Sequence, residues 1–330
     1  MTANLASAYD AALFDLDGVI YLGPYAVDGV PGYLDQVRDQ GTRVGFVTNN
    51  AARTPATVAE HLRDLGIHAE EADVVNSTQA TLRMLAADLP AGAKVLAIGT
   101  EALAEQLAGA GFTVVDSMQD EPVAVVQGYN PRSEWARLEE AALAIQRGAV
   151  WYATNPDLTR PSERGIVPGL GAQLAVVRFC VDVDPKVAGK PFRPLLDETV
   201  LRMESKRPIF VGDRTDTDIL GANNVGMDSL FVFTGAHGKF DLAVAEPEAR
   251  PTYIGYDVGA LLEPPRVAVF QETRYRCGRM GVDHADGIAY LATTPTTRDE
   301  QLDALWSALN VKWRFGADIT SVLNSLDQLR

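Results

Sequence analysis

Short β-rich runs alternate with amphipathic helical stretches along most of this 330-residue chain, and that alternation constrains its fold most. "AALF" at 11–14 reads as a buried strand. "PGYLDQVRDQG" follows with Leu34 and Val37 as a helical stripe and Gly41 as a stop. "RVGFVTNN" is β-rich and ends in polar residues. "TPATVAEHLRDLG" then offers Thr54 as a cap and Pro55 at the first helical position. Val58, Leu62 and Leu65 form its buried stripe, and Gly66 ends it. "AKVLAIGT", "FTVV", "PVAVVQGY", "AVWYATNPD", "RPIFVGD" and "SLFVFTG" continue the strands. Such alternation predicts an α/β fold, with a parallel sheet covered by helices. In such sheets ligands bind beyond the carboxyl ends of the strands.

Those ends carry the chemistry. Asp15 and Asp17 follow the first strand, Thr48 and Asn49 the second, and Asp213 a later one, with Lys190 in a "GKP" loop. Two neighbouring carboxylates raise each other's pKa, so a strand end that holds them needs a compensating charge. A hard cation such as Mg²⁺ prefers oxygen ligands and answers that need. A lysine and a hydroxyl beside it suit a phosphoryl group, and a carboxylate can then attack phosphorus. Asp15 and Thr48 lie 33 residues apart, about one βαβ unit. Thr48 and Lys190 lie 142 residues apart, which requires an inserted domain able to enclose a substrate.

"FDLDGVIY", "VTNN", "GKP" and "VGDRTDTDI", in that order, resemble the four motifs of the haloacid dehalogenase superfamily. The large α/β insertion resembles the capped phosphatases acting on pyridoxal phosphate, phosphoglycolate, sugar phosphates and glycerol phosphate. The resemblance covers roughly residues 10–262. It implies a Rossmann-like parallel-sheet core (1–78 and 183–262), an inserted α/β cap domain (79–182) and a small C-terminal α/β appendage (266–330). It implies Asp15 as nucleophile. Asp17 would be general acid and then base, lending its backbone carbonyl to Mg²⁺. Thr48, Asn49 and Lys190 would hold the phosphoryl group, Asp213 would be a direct metal ligand, and Asp218 would orient metal-bound water.

Substrate choice is expected in the cap, in "ATNPDLTRPSERG", where Asn155, Asp157 and Arg160 are the polar candidates. Arg160 stands where pyridoxal-phosphate phosphatases carry a histidine, which argues against that substrate. High Ala, Arg and Val usage with a C-terminal extension resembles actinobacterial members assigned to glycerol 3-phosphate, the expected substrate; phosphoglycolate or a sugar phosphate is the alternative. A phospho-receiver module would combine similar groups, but Asp17, two residues after Asp15, suits turnover by proton transfer. A phosphonatase would want an extra cap lysine.

The remaining features have plainer readings. A net charge of -15 speaks against a broad nucleic-acid surface. Cys180 and Cys277 have no metal or disulfide spacing and read as free thiols. With no leader-like start and no apolar run long enough for a membrane span, the expectation is a cytoplasmic protein whose partner is a small phosphorylated metabolite. "PGLGAQL" reads as a tight turn into a helix rather than a dinucleotide loop. Trp135, Trp151 and Trp306 read as core. Asp216 reads as structural, and the histidines lack metal spacing. "EPPR" (263–266) reads as a linker, and Asp283, His284 and Asp286 as a turn. Leu302, Leu305, Trp306 and Leu309 stripe a helix that needs a partner surface, either the core or a second copy in a homo-oligomer. No catalytic group is expected in this appendage, so a chain ending near Glu263 is expected to keep its chemistry and to lose thermal stability or change its oligomeric state.

Overall fold

The computed structural model describes residues 4–162 and 164–329. The chain divides into two compact units, Met1–Val44 with Lys206–Arg330, and Gly45–Ser205. The C-terminal segment belongs to the same unit as the first strand, and residues 45–78 and 183–205 go with the inserted segment.

In the first unit, strands Ala11–Phe14, Pro208–Gly212, Asp228–Val232 and Tyr253–Gly255 pair in parallel, each with the next. Ala11–Phe14 is fully buried, as a strand covered on both faces must be. Tyr9 precedes it and donates its hydroxyl to Asp228 Oδ2 at 2.7 Å. Burial comes first in holding that phenol well above its usual pKa, with the bonds to Tyr253 and Asp228 adding to it.

The C-terminal segment forms a four-stranded antiparallel meander, Val269–Gln271, Arg274–Cys277, Met280–Ala285 and Ile288–Leu291. An 18-residue helix, Arg298–Phe315, follows. Thr297 caps it by accepting from the Glu300 N–H, and Glu300 reaches back to the Thr297 N–H. Gly316, at φ 70°, ends it. Its stripe of Leu302, Leu305, Trp306 and Leu309 is buried with Phe231, Phe233, Leu242 and Ile254, so the partner surface lies within this unit.

Two expectations change here. Asp283 and His284 lie in the Met280–Ala285 strand, and only Asp286 turns, at φ 51°. Asp283 is paired with Arg274 at 3.0 Å, and His284 stacks on Phe315. The 263–266 stretch is fastened, because Arg266 bonds Asp299 and Asp303 at 2.7 Å each. An arginine fork with two carboxylates fixes a chain that its prolines alone would leave irregular.

The second unit holds a five-stranded parallel sheet. Its spatial order is Lys186–Val187, Val150–Ala153, Ala124–Gln127, Lys94–Ile98, Thr113–Val115. Strand Lys186–Val187 thus forms one edge of this sheet, beside Val150–Ala153. The Arg43–Thr48 strand pairs in parallel with Val74–Asn76. Thr54 caps the Pro55–Asp64 helix, accepting from the Thr57 N–H at 3.3 Å; Val58 and Leu62 are buried, while Leu65 is half-buried. The "PGLG" turn leads into helix Leu170–Arg178. A Cβ on Gly169 would lie 2.2 Å from the Asp157 carbonyl oxygen, so the glycine serves close packing. Trp151 and Trp306 are buried, but Trp135 is 65% exposed. It opens the Trp135–Gln146 helix, ahead of the buried Leu138, Ala141 and Ile145. An apolar residue at a helix start can hang past the surface its stripe covers.

Cys180 is exposed and Cys277 buried. Burial, then the Asp303 carboxylate 3.4 Å away, pushes the Cys277 thiol up to about 12. A thiol-exchange reagent at neutral pH is therefore expected to titrate one thiol in the native protein and both after unfolding. Two fast thiols in the native state would contradict this packing.

Candidate active site

The acidic half is built in the first unit. Strands Ala11–Phe14 and Pro208–Gly212 are parallel neighbours, with Phe14 opposite Val211, so their carboxyl ends bring Asp15 and Asp213 together. The Asp15 N–H donates to the Val211 carbonyl at 2.9 Å. After Asp213 the chain turns into the helical segment Thr215–Ile219, which returns Asp218 to the same place. Asp218 Oδ2 accepts from the N–H groups of Asp213 at 3.2 Å and Arg214 at 3.1 Å. One carboxylate oxygen each from Asp15, Asp213 and Asp218 lie within 4.8 Å of one another.

Asp213 and Asp218 are each 1% exposed. Three carboxylates this close repel unless a cation or proton intervenes. An oxygen-only donor set fits a hard cation, Mg²⁺ or Ca²⁺, and not a metal that seeks nitrogen or sulfur. The side chain of Asp17 is exposed and is not one of the three. Asp218, expected to act through water, has one carboxylate oxygen within 4.8 Å of one each from Asp15 and Asp213.

The Thr234–Gly238 loop closes around Asp213. Ala236 N–H donates to Asp213 Oδ2 at 2.5 Å, and Thr234 Oγ1 donates to the Gly18 carbonyl at 2.5 Å. A Cβ on Gly235 would stand 1.9 Å from Asp213 Oδ2, so only glycine lets the backbone approach. His237 Nδ1 accepts from the Thr215 N–H at 3.1 Å. Nothing in the spacing of the histidines pointed to His237. Thr234 and Gly235 were visible only as a polar strand end. Asp216 makes a two-pronged pair with Arg214, consistent with its structural reading.

The second unit carries the remaining candidates. Thr48 ends its strand, and its hydroxyl accepts from the Asn50 N–H at 3.1 Å. Asn49 is a hub. Its Oδ1 accepts from the Lys190 N–H at 2.8 Å, and its Nδ2 donates to the Lys190 carbonyl and to Asp157 Oδ1, both at 3.0 Å. Asn155 Nδ2 and Ser77 Oγ both donate to the Asn49 carbonyl. One side chain thus ties together Asn49, Lys190 and Asp157, residues far apart in sequence. Lys190, placed by the sequence in a loop, is 2% exposed. Arg160 is exposed; its Nε donates to the Tyr129 hydroxyl at 2.8 Å, and its guanidinium lies 4.9 Å from that ring's centroid. Tyr129 carried no signal in the sequence.

Asn49→Ala removes three side-chain hydrogen bonds, two of them buried, at roughly 1 kcal/mol each. The expected loss of stability is about 3 kcal/mol in denaturant unfolding. A loss within the error of that measurement would show that the hub does not bind the three segments.

The comparisons with known proteins agree with this geometry. A haloacid dehalogenase-like hydrolase pattern matches residues 12–113, and a second pattern of HAD-hydrolase-like proteins matches 187–261. The D-glycerol 3-phosphate phosphatase of Mycobacterium tuberculosis is 46% identical over 258 residues, 78% of this chain and 72% of that protein. The acid sugar phosphatase of Staphylococcus aureus is 36% identical over 248 residues, 74% of this chain and 93% of that one. The crystal structure of the M. tuberculosis glycerol phosphate phosphatase in complex with magnesium superposes with a TM-score of 0.88 at 39% identity, covering 99% of both chains. The ordered motifs, the strand-end acids and these likenesses lead to one conclusion: the chain belongs to the haloacid dehalogenase-like hydrolases.

Proposed function

We propose that this protein is a Mg²⁺-dependent phosphatase of a small phosphomonoester, glycerol 3-phosphate. The observation that carries the reading is the trio of carboxylates from Asp15, Asp213 and Asp218 at adjoining strand ends. An acidic trio of oxygen donors, two of them buried, has little use except to hold a hard cation against an anionic substrate. A structural relative that matches 99% of this chain is named a glycerol phosphate phosphatase, which supports the choice of substrate.

The residues take the following roles. An Asp15 oxygen attacks phosphorus; its bond to phosphorus forms as the ester P–O bond breaks. Asp17 gives its proton to the departing alkoxide, which leaves as the alcohol. Asp17 then takes a proton from water as that water attacks the aspartyl-phosphate. Inorganic phosphate departs and Asp15 is restored. Thr48, Asn49 and Lys190 are assigned to the phosphoryl oxygens by their positions in the motifs. Asn155 and Arg160 are assigned to the alcohol portion of the substrate. Asp15, Asp213 and the backbone carbonyl of Asp17 would hold Mg²⁺, with Asp218 beside them. Bound there, Mg²⁺ supplies neutralising charge for the phosphoryl oxygens.

The domain reading is a core of 1–78 and 183–262, a cap of 79–182 and an appendage of 266–330. Among the described residues no helix is long and apolar enough to cross a membrane. A free Cys180 and a metabolite substrate suit the cytoplasm.

The test is phosphate release from glycerol 3-phosphate, phosphoglycolate, sugar phosphates and pyridoxal phosphate, with and without Mg²⁺. Glycerol 3-phosphate is expected to give the highest kcat/KM. A higher value for another ester would overturn the substrate, and no release from any would overturn the activity.

A further inference from the structure

The loop that grips Asp213 is itself held from an unexpected direction. Thr234, Ala236 and the His237 N–H bond Gly18 and Asp213, and His237 Nδ1 bonds Thr215. Two residues after His237 comes Lys239, which is 7% exposed. Its ammonium donates to the carbonyls of Leu326 at 2.5 Å and Leu329 at 2.8 Å. Burial lowers its pKa, with nearby Asp327 opposing.

The turn at 326–329 is fastened a second time. Gln301, 4% exposed, donates to Asp327 Oδ1 at 2.6 Å and accepts from the Gln328 N–H at 2.9 Å. Leu326 and Leu329 are buried in the cluster that contains Phe231, Phe233 and Leu242. The strand before the loop, the helix after it and the 326–329 turn therefore share one apolar cluster. A buried lysine is costly, and an apolar residue would fill this place more cheaply. What the ammonium provides is a directed link between two carbonyls of that turn and the end of the Asp213 loop.

We propose that Lys239 is a positioning residue for the reaction: the C-terminal turn, through Lys239, holds the Thr234–Gly238 loop so that Ala236 N–H orients the Asp213 carboxylate toward the metal. The proposal rests on the assignment of Asp213 as a metal ligand. It gives the appendage a part in the chemistry although it carries no catalytic group. It also reverses the expectation that a chain ending near Glu263 keeps its chemistry.

The experiment measures Mg²⁺ affinity by calorimetry on the full-length protein, without substrate, for wild type, Lys239→Met, Lys239→Arg and Gln301→Ala. Partners that orient a ligand cost about 10-fold or more in metal affinity when lost. Lys239→Met is expected to bind Mg²⁺ about 10-fold more weakly. Its amide hydrogens at 234–238 should exchange faster, and kcat should recover at high Mg²⁺ with KM for the ester nearly unchanged. Lys239→Arg restores a donor and is expected to recover most of the affinity. Gln301→Ala loosens the turn without touching the loop and should shift affinity the same way, less strongly; it carries the test if Lys239→Met does not fold. A folded Lys239→Met or Gln301→Ala protein with wild-type Mg²⁺ affinity and unchanged exchange at 234–238 would overturn the proposal. Wild-type protein that binds no Mg²⁺ would instead overturn the assignment of Asp213.

Discussion

Asp15→Asn is expected to reduce turnover by about 10⁴-fold or more, the scale seen when a nucleophile that works as part of a unit is removed. The amide keeps the size of the carboxylate but cannot supply the attacking oxygen as an anion. Folding should survive. The strand before Asp15 is fully buried and paired along its length with Pro208–Gly212, and the Asp15 backbone bond to Val211 does not involve the side chain. Removing one of three crowded carboxylates also relieves repulsion in the metal-free protein. The variant should therefore be at least as stable as wild type without Mg²⁺ while nearly inactive with it. Retained activity in folded Asp15→Asn protein would falsify the nucleophile assignment.

Chelation of Mg²⁺ is the second large effect. EDTA is expected to abolish phosphate release, and added Mg²⁺ to restore it. Ca²⁺ should not replace it and should inhibit. Both cations suit the oxygen donors of Asp15, Asp213 and Asp218. Mg²⁺ demands near-octahedral geometry at short distance, whereas Ca²⁺ takes more ligands at longer distance. A larger coordination sphere would leave room for the second oxygen of Asp15, the one needed for attack. The check is initial rate against each cation, alone and in competition. Equal rates in EDTA and in Mg²⁺ would remove the metal from the account, and full activity with Ca²⁺ would remove the geometric argument.

Much of this arrangement was legible in the sequence because the signals were local. Thr54 and Pro55 announced a helix start through the hydrogen bond and the backbone angle they supply. The strand ends at Asp15 and Asp213 were readable because an apolar run that stops at an acid marks a carboxyl end. Leu302, Leu305, Trp306 and Leu309 showed a face in need of cover, and the structure supplies Phe231, Phe233 and Ile254. What stayed hidden depends on contacts distant in sequence. Lys239 is an ordinary surface residue until Leu326 and Leu329 arrive above it. Asn49 was legible as a strand-end residue, but not as the partner of Lys190 and Asp157. Arg266 followed two prolines and read as linker, because Asp299 and Asp303 lie more than thirty residues on. Trp135 misled because a period says which face is apolar, not how far the covering surface extends.

The central claim is that a phosphoryl group passes through Asp15, with Asp17 moving the protons. Aryl phosphate tests it most directly, because a phenolate leaves without needing a proton. In Asp17→Asn protein Asp15 should still attack such an ester, but the base for the second step is missing. Rapid acid quench, digestion and mass spectrometry of the peptide containing Asp15 are expected to find one phosphoryl group on Asp15 in a large fraction of the Asp17→Asn enzyme, and none in the Asp15→Asn, Asp17→Asn double variant. A phosphoryl group on another residue, or release of phenol by Asp17→Asn protein with Asp15 never modified, would contradict the account.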